Sequence, residues 1–61
     1  MIRLLVVEGR PAIRRGLRMW LGLAPDITVV GEADDGLGAL WQASMLRPDA
    51  VLVHVESADI D

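Results

Sequence analysis

Three short aliphatic runs alternate with two stretches whose apolar residues recur at helical spacing. The run from Ile2 to Glu8 is rich in Leu and Val and stops at Gly9, which suits a buried strand. Pro11 follows at a favoured first helical position, where its missing N–H removes no bond. From Ala12 the apolar residues fall at Ile13, Leu17, Trp20 and Leu21, a helical stripe that Pro25 and Asp26 end. Ile27 to Ala33 predicts a second strand, and Asp34 to Gly36 a turn. Leu37 to Leu46 predicts a second helix with Leu40, Ala43 and Leu46 on its core face. Arg47-Pro48-Asp49 breaks that helix, and Ala50 to Val55 completes the set as a third strand.

The order is therefore βαβαβ with short connections. Strands that alternate with helices predict a parallel sheet with helices packed on it. Right-handed crossovers then leave few topologies. The second helix has a further feature. Leu37, Trp41 and Met45 form a second apolar stripe at i, i+4 and i+8, beside the presumed core face. A helix apolar nearly all round is in contact on both sides, so these three residues mark a candidate interface.

Composition narrows the class. The chain has 61 residues, of which 52% are hydrophobic and 25% charged, with a net charge of −3 and no Cys. That describes a single globular unit, and one this small buries only about 60% of its unfolded surface. Disulfides and thiolate metal sites are excluded, in keeping with a cytoplasmic protein. Apolar runs such as Leu4–Val7 are far too short to span a membrane. All six basic residues are Arg; Arg14, Arg15 and Arg18 cluster on the first helix, where a solvated face is the simplest explanation.

Nucleotide binding fails on motif. After Gly9 the next glycine is Gly16, so the dinucleotide fingerprint is absent, and a phosphate loop needs a Lys that the chain lacks. One residue stands out instead. His54 interrupts the aliphatic run "DAVLVHV", where a strand buried on both faces carries Val, Leu and Ile.

The stretches "RPAIRRGLR", "PDITVVGEADDG" and "LRPDAVLVHV" closely resemble the receiver domain of bacterial response regulators, in the branch joined to LuxR/NarL-type helix-turn-helix domains. The resemblance runs without gaps from Ile2 to about Asp61. It implies a flavodoxin-like fold in which residues 1–61 form the N-terminal part of a single receiver domain. The implied strand order is 2-1-3, with helices on both faces and the site at the carboxyl ends of the strands.

The same resemblance assigns positions to the chemistry. The family's phosphoryl-accepting Asp ends the third strand, where this chain has His54. The family's paired acids end the first strand, here Glu8 and Gly9, so one acid is kept and one is lost. Ser57 and Ala58 replace a Met-Pro pair. The family holds its carboxylates beside Mg²⁺, a cation that takes near-octahedral oxygen ligands. With Glu8 as the one remaining acid, and an imidazole that suits other metals, Mg²⁺ binding is expected to be lost or weak and no cofactor is expected. His54 is expected to pair with Glu8, as a pocket filler or as a proton-sensitive switch. Arg10, beside the start of the first helix, is a candidate anion contact.

The implied function is a degenerate receiver module, not an enzyme, in a two-component transcriptional regulator. It would act independently of phosphorylation, through dimerisation or partner contacts. Partners would be a second copy or a C-terminal half, with DNA reached only through a separate helix-turn-helix domain and a histidine kinase disfavoured. The alternatives are a phosphorelay acceptor using His54, or an interaction module with no DNA-binding domain.

Overall fold

The computed structural model describes residues 1–54. Its elements are β1 (Ile2–Val7), α1 (Pro11–Leu21), β2 (Ile27–Ala33), α2 (Gly36–Leu46) and β3 (Ala50–Val53). The three strands form one parallel sheet in the order β2-β1-β3. The predicted βαβαβ order and the 2-1-3 arrangement are both present. β3 stops before His54, although the His54 N–H still donates to the Val7 carbonyl at 3.1 Å. Val55, placed on this strand from sequence, and the Ser57–Ala58 loop lie outside the described residues.

β1 is the centre of the molecule because its side chains alternate between two cores. Leu4 and Val6 pack with Leu21, Leu17, Ile27 and Val29 on the α1 face. Leu5 and Val7 pack with Ala33, Ala39 and Ala43 on the α2 face. Helices thus cover both faces of β1, which is why its run is continuously aliphatic.

β2 changes face in mid-strand. Leu4 pairs with Val29 but Leu5 pairs with Gly31, so Val30 is an extra residue. Such a bulge shifts all later side chains to the opposite face. Ala33 consequently joins the α2 core, and Glu32 turns to the α1 side, where Arg14 and Arg18 meet it. Gly31 also lets α2 lie close to the sheet. A Cβ there would sit 2.6 Å from both Gln42 Oε1 and Leu46 Cδ1.

Two assignments made from periodicity are corrected. Leu40, expected in the core, is 71% exposed, and the inward positions of α2 are Ala39 and Ala43. Small side chains let the helix sit near the sheet, which turns the bulkier Leu40 outward. Trp20, placed on the inner stripe of α1, is 68% exposed. Leu17 and Leu21 fill that face, and Trp20 borders an apolar cavity with Leu21, Leu23, Ala24 and Ile27.

The helix ends follow local chemistry. Asp35 caps α2 by accepting from the Gly38 N–H at 2.7 Å. Arg47 closes it in a left-handed conformation, with φ 48°, and donates its N–H to the Ala43 carbonyl. Pro48 then prevents continuation. At the opposite end of the sheet from Glu8, Asp49 accepts from the Arg3 N–H at 2.8 Å and fixes the register of β3.

Candidate functional site

The carboxyl ends of β1 and β3 bring Glu8 and His54 together. Adjacent parallel strands end side by side, so the residue after Val7 and the residue after Val53 become neighbours. His54 Nδ1 faces Glu8 Oε2 in a direct contact. The other carboxylate oxygen, Oε1, accepts from the Arg10 N–H at 3.0 Å. Both oxygens of Glu8 are therefore engaged by the chain itself.

Glu8 is 3% exposed, whereas the His54 side chain is 44% exposed. The backbone of Glu8 is fixed as firmly as its side chain. Its N–H donates to the Ala33 carbonyl at 2.9 Å, and its carbonyl accepts from Arg14 Nη1 at 2.8 Å. Burial pushes the Glu8 carboxyl up, because it penalises the charged form. The Arg10 N–H, the His54 imidazole and the Arg10 charge together outweigh it, so the carboxyl titrates below its ordinary value of 4.5.

Gly9 offers no side chain and is not required by the backbone, since its φ is not positive. A Cβ at this position would meet the Asp34 carbonyl at 3.2 Å, a tight contact. Arg10 contributes its N–H to Glu8 and lies outside α1 as its N-cap residue. Arg14 and Arg18 are not merely a solvated face. Arg14 Nε lies 3.4 Å and Arg18 Nη1 3.1 Å from the Glu32 carboxylate, beside a cavity also lined by Pro11 and Arg15. Glu32 was missed from sequence because the bulge that aims it leaves no mark in the alternation.

The geometry does not fit Mg²⁺. The cation takes oxygen ligands, and Glu8, the carboxylate at the ends of β1 and β3, is buried with a protein donor on each oxygen. Among the described residues, no group of three or more His, Cys, Asp or Glu is placed to hold a metal ion. The interface candidates Leu37, Trp41 and Met45 are all exposed on α2, as is Leu40.

No family model matches the chain, and no solved structure does. Curated relatives do. The chain is 40% identical over 52 residues to the nitrate/nitrite response regulator protein NarL of Escherichia coli (strain K12), covering 85% of this chain and 24% of that protein. It is 38% identical over all its 61 residues to the transcriptional regulatory protein LiaR of Bacillus subtilis (strain 168), 29% of whose length is matched. A protein-glutamate methylesterase/protein-glutamine glutaminase of Anaeromyxobacter dehalogenans (strain 2CP-C) is 44% identical, again over the whole chain but only 18% of its own length. The chain thus spans less than a third of the length of these relatives, whose names differ in activity. What they share with this chain is one segment.

Proposed function

Since this chain belongs to the response regulator receivers, we propose that it is a regulatory module that works without phosphoryl transfer to its third strand. One observation carries this reading: the residue in the acceptor position is His54, and it is turned onto Glu8. An imidazole forms no acyl phosphate. The acid pair that would hold a cation to neutralise an incoming phosphoryl group is reduced to one carboxylate that accepts from a protein donor on each oxygen. We assign the segment no catalytic activity of its own, and the methylesterase relatives match it over only a small part of their length.

Action through contacts is favoured by surface chemistry. Leu37, Leu40, Trp41 and Met45 on α2 and Val51 to Val53 on β3 are all exposed, and neither element carries a charge. Val51 and Val53 sit opposite Leu5 and Val7, on the α2 face of the sheet. An uncovered apolar edge strand is a template for another chain. The partner we propose is the remainder of a receiver or a second copy. In the complete protein a DNA-binding domain would then carry the output to transcription. Among the described residues no helix is long and apolar enough to cross a membrane, and we place the protein in the cytoplasm.

A phosphorelay role for His54 has one observation in its favour. Glu8 on Nδ1 orients the ring and leaves Nε2 as the nitrogen that would meet a phosphoryl donor. Intact-mass spectrometry of the wild-type chain with Mg²⁺ and acetyl phosphate separates the two. We expect no phosphoryl adduct. An adduct mapped to His54 would replace the proposed reading with the phosphorelay one.

A further inference from the structure

The family implies a divalent cation at this rim, and the residues present do not fit one; what they form instead has its own consequence. A cation here would need free lone pairs on carboxylate oxygens. Glu8 is 3% exposed, with Arg10 N–H on Oε1 and His54 Nδ1 on Oε2. A cation approaching either oxygen would meet a protein donor already bonded there, on a carboxylate closed off from solvent.

The surrounding charges point the same way. The Arg10 guanidinium lies near enough to act electrostatically on Glu8, and Arg14 Nη1 is bonded to the Glu8 carbonyl at 2.8 Å. Glu32 is paired with Arg14 and Arg18, Asp35 is committed to capping α2, and Asp34, which follows β2 beside Gly9, completes no group of three metal-binding side chains among the described residues. Gly9 adds no ligand, although its φ leaves the backbone open to other residues.

We infer that His54 is a tethered stand-in for the divalent cation. Its imidazole occupies the second oxygen of Glu8, ties the end of β3 to the end of β1, and closes the rim permanently against metal. The counter-group is part of the chain and meets Glu8 through a hydrogen bond, so the rim holds one state whatever the Mg²⁺ concentration. This rests on the receiver reading above and adds how the vacated site is filled.

Mn²⁺ tests it, because this paramagnetic ion broadens the amide signals of residues near which it binds. In the wild-type chain at millimolar Mn²⁺, the amide peaks of Glu8, Gly9, Arg10 and His54 should lose no more intensity than those of exposed acids elsewhere. In His54→Ala, which frees one oxygen of Glu8, those peaks should fade selectively. In Gly9→Asp with His54→Asp they should fade at lower Mn²⁺ still. Selective fading in the wild type would overturn the inference. So would a folded His54→Ala whose Glu8 signal persists, since His54 would then not be what excludes the ion. Should His54→Ala unfold, the double variant carries the test through the same peaks, and persistence of its Glu8 signal would count against the inference. The two proposals fail separately. A phosphoryl adduct without Mn²⁺ broadening removes the function reading and leaves the stand-in. Broadening without an adduct does the reverse.

Discussion

β1 and β3 are hydrogen-bonded neighbours made of nearly the same residues, yet they lie in opposite surroundings. Leu4 to Val7 of β1 are at most 8% exposed, whereas Val51, Leu52 and Val53 of β3 are 37–52% exposed. The difference is coverage. α1 and α2 contact β1 and β2, and among the described residues neither contacts β3. An aliphatic run therefore declares what a strand is suited to, and its neighbours decide whether that suitability is used. In β1 it becomes a core; in β3 it stays exposed.

The largest test of this contrast compares one residue from each strand. Leu5→Ala empties a fully buried position and should reduce stability by about 2–5 kcal/mol. In the chain diluted to monomer, Val53→Ala should change it by no more than about 0.5 kcal/mol, as exposed substitutions do. Urea unfolding midpoints measure both. Comparable losses at higher concentration would mean that β3 is covered in solution, and sedimentation would then be expected to find a second copy.

A smaller effect distinguishes the two helix faces. Gly31→Val places a side chain where Gln42 and Leu46 of α2 already stand, and overpacking of this kind costs about 1–3 kcal/mol. Gly16 of α1 has open space around its would-be Cβ. Gly16→Ala should raise stability by about 0.4–1 kcal/mol through the unfolded chain. Thermal melts of the two variants should move in opposite directions.

Acid provides the finest test. The folded-state pKa of Glu8 lies below its ordinary 4.5, so the native state binds fewer protons than the unfolded chain between those two values. Stability from this group is complete above 4.5 and is lost as pH falls through the folded pKa. Melting temperature should thus fall more steeply with acid below that value in the wild type than in Glu8→Gln. Parallel acid curves would show that the carboxylate contributes nothing.

Much of this was legible in the chain. Helical and strand spacing located all five elements, and the strand order implied by the receiver resemblance placed Glu8 and His54 at adjacent strand ends. Other features depended on tertiary detail. The bulge at Val30 redirects Glu32 and Ala33, yet "ITVVGEA" reads as an unbroken strand. Leu40 and Trp20 were drawn inward by a stripe wider than the real contact, because periodicity cannot tell which of two adjoining apolar rows meets the sheet. The Arg10 N–H on Glu8 was equally invisible, since a backbone donor leaves no trace in residue type.

The central claim is that His54 is held by Glu8, and the single histidine of the chain makes it directly measurable. Long-range proton–nitrogen correlation spectra report which ring nitrogen carries the proton when imidazole is neutral. In the wild type the neutral ring should carry its proton on Nδ1, donated to the carboxylate. In Glu8→Ala, which removes the acceptor, that preference should be lost. The same nitrogen pattern in both proteins would contradict the account, because the imidazole would then be oriented by something other than Glu8.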